Sequence, residues 1–96
     1  MSYAVTTQLD VYREKLDEFI TILSEMADST REAAGCLLHN VCMDAEEKGR
    51  MLIYSAWESI EQYKEYLDWD KSKGLTETLL PFLKNPPVSH EYDRID

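Results

Sequence analysis

Two neighbouring stretches, CLLHNVCMD (residues 36–44) and RMLIYSAW (residues 50–57), are apolar on both of the faces that a strand presents. In the first, Leu37, Val41 and Met43 point one way and Cys36, Leu38 and Cys42 the other. In the second, Met51, Ile53 and Trp57 oppose Leu52, Tyr54 and Ala56. A strand with one wet face shows polar residues at alternate positions, so these two belong to a sheet that is covered on both sides. The polar link AEEKG between them is short and ends in Gly49, a residue that can take positive φ, which makes the pair a hairpin.

The flanking sequence completes the pattern. Residues 3–11 alternate Tyr3, Val5, Thr7, Leu9 and Val11 against Ala4, Thr6, Gln8 and Asp10, a third strand. Leu16, Phe19, Ile20, Leu23, Met26 and Ala27 recur at helical spacing and predict a helix over residues 14–33, with Gly35 at its exit. Ser59 and Gln62 form a capping-box signature for a second helix, with Ile60, Tyr63 and Leu67 on its inner face. Leu75, Leu79 and Phe82 predict a further helical stretch over residues 71–83, which Pro81 ends or kinks. Residues 88–95 read as a last strand. The order βαββαβ is that of the ferredoxin-like α+β fold, a four-stranded antiparallel sheet with helices on one face. Two helices cover only that face. The other needs a second sheet, so the expected assembly is a homodimer packed sheet to sheet about a two-fold axis.

Bulk properties exclude several functions. At 96 residues the chain is one domain. Its formal charge of −9, with no basic cluster, argues against nucleic acid. It lacks an apolar run long enough to span a membrane. MSYAVTTQLD has neither a basic start nor an apolar core, so no signal peptide is expected and the cytoplasm is the default location. Cys36 and Cys42 fall on one strand at a separation of roughly 20 Å, too far to bridge, and are expected as reduced, buried thiols.

Metal chemistry has no support: His39 and His90 are the only histidines and no HxH, HxxxH or CxxC pair is present. There is no GxSxG elbow and no glycine-rich phosphate loop. What remains is aromatic. Trp57 ends a strand and Tyr63 stands one turn into the next helix, so both point between sheet and helices. An indole N–H and a phenol O–H converging in apolar space are what a small aromatic ligand would use, although a buried Trp can equally be core. His39 points inward, as a hydrogen-bonded core residue or as a pocket wall, and His90 and Tyr92 could meet it across the sheet. Tyr54, Tyr66 and Trp69 add aromatic surface, the last two partly exposed.

Residues 16–70, from LDEFITILSEM through GCLLHNVCMD to YSAWESIEQYKEYLDWD, together with the later LLPFL, resemble the antibiotic biosynthesis monooxygenase domain family of dimeric α+β barrels. The likeness extends over about residues 5–92. It implies small cytosolic dimers, some of which oxidise quinols or polycyclic phenols with O₂ without metal or flavin, because the electron-rich substrate itself reduces oxygen. It places Trp57 and Tyr63 at pocket positions. The reading taken from it makes Trp57 and Tyr63 catalytic and sets His39, Tyr54 and Tyr66 around the substrate, with His39 or Tyr54 taking a phenolic proton. The haem-degrading branch carries a histidine on the second helix, where this chain has Tyr66 and Leu67. The alternative is a non-catalytic dimeric module of the same fold that binds a small apolar ligand.

Overall fold

The computed structural model describes residues 2–95. Strand β1 (Tyr3–Asp10) is followed by a 3-10 turn (Arg13–Lys15) and helix α1 (Leu16–Arg31). The hairpin β2 (Cys36–Met43) and β3 (Arg50–Trp57) leads to α2 (Ile60–Lys73). A short α3 (Leu75–Leu79), a 3-10 turn (Leu80–Phe82) and β4 (Val88–Asp93) complete the chain. The sheet order is β2-β3-β1-β4, with every neighbouring pair antiparallel. This is the α+β ferredoxin-like arrangement, with the helices on one face.

The register shows which residues share a face. Val5, Ser55 and His39 are neighbours across three strands, as are Thr7, Ile53 and Val41. These rows look toward the helices. The alternate rows, such as Ala4, Ala56 and Leu38, look away. One expectation fails at the start of β2. A bulge between Cys36 and Leu38 inserts Leu37 into the strand. Cys36 therefore pairs with Trp57 on the helix side, and Leu37 lies half exposed beside it. Beyond the bulge the alternation is restored, and His39 faces the helices as expected.

Local chemistry sets the joints. Ser59 caps α2, its Oγ accepting the Gln62 backbone N–H at 3.3 Å. The predicted helix over residues 71–83 is broken at Gly74, whose φ of 64° ends α2 and starts α3 on a new axis. Gly35 has φ of 82°, and a Cβ there would meet Gln62 at 2.4 Å, so both backbone and packing demand glycine. Gly49 is needed for a different reason from the one expected. Its φ is not positive, but a Cβ would lie 2.8 Å from the Val11 carbonyl oxygen, and the Gly49 carbonyl accepts the Val11 N–H at 2.8 Å. The hairpin turn is held instead by Asp44, whose Oδ1 accepts the backbone N–H groups of Glu46 and Glu47.

The core is divided. One cluster gathers Leu9, Val11, Phe19, Leu23, Met51, Leu79 and Leu83 beneath α1 and α3. The other gathers Tyr3, Val5, Trp57 and Tyr63 beneath α2. Both clusters lie on the helix side. The opposite face of the sheet carries exposed Leu38, Val88 and Tyr92 among partly covered Leu52 and Tyr54.

Candidate functional site

A cavity of about 430 Å³ lies between sheet and helices, with walls drawn from both core clusters. Its floor is the helix-side row of the sheet, including Val5, Thr7, His39, Ile53, Ser55 and Trp57. Leu23 and Thr30 of α1 and Tyr63, Tyr66, Leu67 and Asp70 of α2 form its walls. Leu79, Thr76 and Glu77 of α3 and Lys71 of α2 also line it.

Trp57 is 1% exposed. Its Nε1–H donates to Ser55 Oγ at 3.0 Å, two residues back on the same face of β3. The indole is therefore satisfied within the protein and offers the cavity its ring. The ring lies 5.6 Å from Tyr63 and 5.0 Å from Tyr66, in tilted packing typical of aromatic clusters. Tyr66 stands in turn 6.1 Å from Trp69, which is 43% exposed. The Tyr66 hydroxyl is also committed. Thr30 Oγ1 gives its hydrogen to the Met26 carbonyl at 2.9 Å, so it accepts from Tyr66 at 3.0 Å.

Among the described residues singled out from sequence at this cavity, the Tyr63 hydroxyl and the His39 ring are uncommitted. None of the hydrogen bonds among the described residues uses the Tyr63 hydroxyl, and burial, with Glu91 nearby, pushes its pKa up to about 12. The phenol stays protonated at neutral pH and can donate. His39 is 9% exposed, and its Nδ1 is sealed from solvent without a hydrogen-bond partner. Burial, and secondarily the Arg31 guanidinium, hold its pKa below the usual histidine value. Arg31 Nε donates to the His39 carbonyl oxygen at 3.1 Å. Among the described residues no group of three or more His, Cys, Asp or Glu converges as a metal site.

Of the residues singled out from sequence, Trp57, Tyr63, Tyr66 and His39 meet at this cavity. Tyr54 does not: it pairs with Thr6 and Asn40, one residue out of phase with Ile53 and Ser55, on the face turned away from the helices. His90 likewise sits opposite Thr6, so it and Tyr92 cannot meet His39. Ser55 is the hydrogen-bond partner of the indole. Asp70 was missed. It is buried and accepts a hydrogen bond from Thr76 Oγ1, tying α2 to α3. The signal was its seven-residue spacing from Tyr63, which puts both on one helix face.

Comparison with known proteins agrees with this architecture. The chain is 27% identical over 85 residues to human N-terminal EF-hand calcium-binding protein 1, which covers 88% of this chain but 24% of that protein. It thus spans about a quarter of the length of the curated relatives it matches. The structure of Rv0793 from Mycobacterium tuberculosis superposes with a TM-score of 0.89 at 16% identity, over 100% of this chain and 97% of that one. SnoaB from Streptomyces nogalater, a cofactor-independent oxygenase solved as a point mutant, gives 0.86 at 9% identity over 99% and 94%. At such identities these structures show a shared fold. No helix among the described residues is long and apolar enough to cross a membrane. Residues 2–75 match the family model for antibiotic biosynthesis monooxygenases, and the chain belongs to that family.

Proposed function

We propose that the protein is a cofactor-independent oxygenase that oxidises a quinol or small polycyclic phenol with O₂, acting as a homodimer. The observation that carries this reading is the cavity of about 430 Å³, apolar over most of its wall, with the Tyr63 hydroxyl free beside the flat ring of Trp57. Its volume suits a small fused aromatic. Trp57 and Tyr66 would hold the substrate ring, and Tyr63 would donate to its oxygen.

The chemistry then asks little of the protein beyond position and field. The deprotonated substrate gives an electron to O₂. The two radicals recombine into a carbon–oxygen bond, and loss of water leaves the quinone. For an anthrone, O₂ and the two hydrogens of the CH₂ group become a new carbonyl and one water. A dry cavity with a fixed donor lowers the energy of the anion that starts this sequence. The named activity of the Streptomyces nogalater oxygenase, on the same fold, supports the assignment.

Oxygen consumption by the purified protein, measured with a panel of quinols and anthrones against their spontaneous rates, tests it. Metal and flavin are assayed on the same sample. Saturable uptake that falls in Tyr63→Phe is the expected result. No uptake above background on any member of the panel removes the oxygenase reading and leaves a non-catalytic dimeric module that binds a small apolar ligand.

A further inference from the structure

We infer that His39 serves this cavity through its neutral imidazole, as a hydrogen-bond donor and not as a base. With the Tyr63 hydroxyl it makes a site for an anionic oxygen, the phenolate or enolate of an acidic ring hydroxyl. This rests on the oxygenase reading for its purpose but on separate observations for its geometry.

An imidazole has two nitrogens, and its charge state decides what each can do. Nδ1 of His39 is sealed and unpartnered. If the ring accepted a proton, Nδ1 would carry a hydrogen and a share of positive charge with nothing to receive either. A buried unpaired donor of that kind is costly, and costlier when charged. The neutral ring has a cheaper arrangement. With its hydrogen on Nε2, only a lone pair at Nδ1 goes unmet, and buried acceptors tolerate this better than buried N–H groups do. The residue lines the cavity, so the N–H is what it has to offer there.

The charges around His39 are mixed, so the two neutral donors carry the recognition. Arg31 of α1 stands beside His39 and is paired with Asp28 at 3.0 Å. From β3 the neighbours facing His39 are Ser55 and Ile53, neither of which is charged at neutral pH. Tyr66 on α2 is held protonated by burial. Lys71 of α2 adds a positive charge to the lining. The opposing charges are Asp70 on α2, engaged by Thr76, Glu77 on α3, and Glu91 on β4, which accepts from Tyr3. None of these carboxylates is hydrogen-bonded to His39. With His39 unable to take the proton, the substrate class narrows to the more acidic phenols, such as polycyclic phenols that carry an electron-withdrawing carbonyl.

The test uses 4-nitrophenol, whose visible band reports ionisation, with 4-nitroanisole as the neutral control. Bound nitrophenol should ionise about one pH unit or more below the free dye. The shift should vanish in His39→Leu and Tyr63→Phe and return in part in His39→Gln, which restores an N–H. In ¹⁵N spectra of the wild-type protein, His39 should show a single proton, on Nε2, at neutral pH and take up a second only below the ordinary histidine range. An upward shift of the bound dye, or protonation of His39 near its ordinary value, overturns the inference and makes His39 an acceptor. Equal binding of both probes at every pH overturns it while leaving the oxygenase reading intact. Failure of both to bind removes the cavity reading and this inference together.

Discussion

The Trp57 indole N–H and the Ser55 hydroxyl, two residues apart on β3, are hydrogen-bonded at 3.0 Å inside the protein. Strand geometry puts residues i and i+2 on one face, and the bond fixes the plane of the indole against the cavity. Trp57→Phe and Ser55→Ala each remove one partner, and each is expected to cost about 1–2 kcal/mol. The double variant should cost less than the sum, because the second deletion has no bond left to break. Chemical denaturation of the four proteins measures the coupling, and strict additivity would show the bond to be energetically idle.

Tyr63→Phe separates stability from chemistry. The lost hydroxyl makes no hydrogen bond among the described residues while its ring packs on Tyr3 and Trp57. Stability should change by less than about 0.5 kcal/mol. Turnover of a quinol should fall by roughly 10²–10³, the usual effect of deleting one donor to a developing anion. Equal losses in both would make Tyr63 a packing residue.

Acid should destabilise the fold through His39. Its folded pKa lies below the 6.5 of an unfolded histidine. As pH falls through about 6.5, the unfolded chain takes up a proton that the native protein refuses, so stability is lost with falling pH. Above that value the group contributes no pH dependence. Comparing urea midpoints of wild type and His39→Gln between about pH 5 and 7.5 checks this. The variant should show a shallower decline, and identical slopes would assign the acid sensitivity elsewhere.

The open face of the sheet is the proposed dimer surface. Leu38 and Tyr92 on it are 40% and 50% exposed in the single chain. Leu38→Asp and Tyr92→Asp would bury a charge in the assembled pair and should yield monomers by sedimentation at micromolar concentration. Far-UV dichroism should remain unchanged. A wild-type protein that is itself monomeric would end the proposal.

Gly35→Ala should cost about 1–3 kcal/mol, from left-handed backbone and from contact with Gln62. Adding Gln62→Ala should recover the steric part alone. Thermal melts of the single and double variants divide the two contributions, and a neutral single variant would mean the turn can rearrange.

The element order was readable because each element declares its own period. Residues 50–57 form an apolar run between the polar AEEKG link and the Ser59 cap, and β3 has those bounds. The start of β2 misled because a period of two, counted straight through Leu37, cannot register an inserted residue. The inner face of α2 was visible in Ile60, Tyr63 and Leu67, yet the same spacing continued to Asp70 was passed over because a carboxylate reads as surface. The packing of Trp57 on Tyr63 was readable because both flank one joint. Tyr54 went astray for the converse reason. It is aromatic and close in sequence, but one step out of phase, and in a strand one step is the thickness of the sheet.

The first and last strands lie side by side, Tyr3 opposite Asp93, and the Arg94 N–H donates to the Ser2 carbonyl at 2.9 Å. The two ends of the fold are thus neighbours, and a short peptide tie would make the backbone a ring with little loop entropy to find. Such a ring could be cut at the turn around Asp44 to Gly49, outside the cavity wall, and still close on the same sheet. Circular permutants opened there should keep the site, and the same adjacency lets the unit sit inside a longer polypeptide as a bead on a loop.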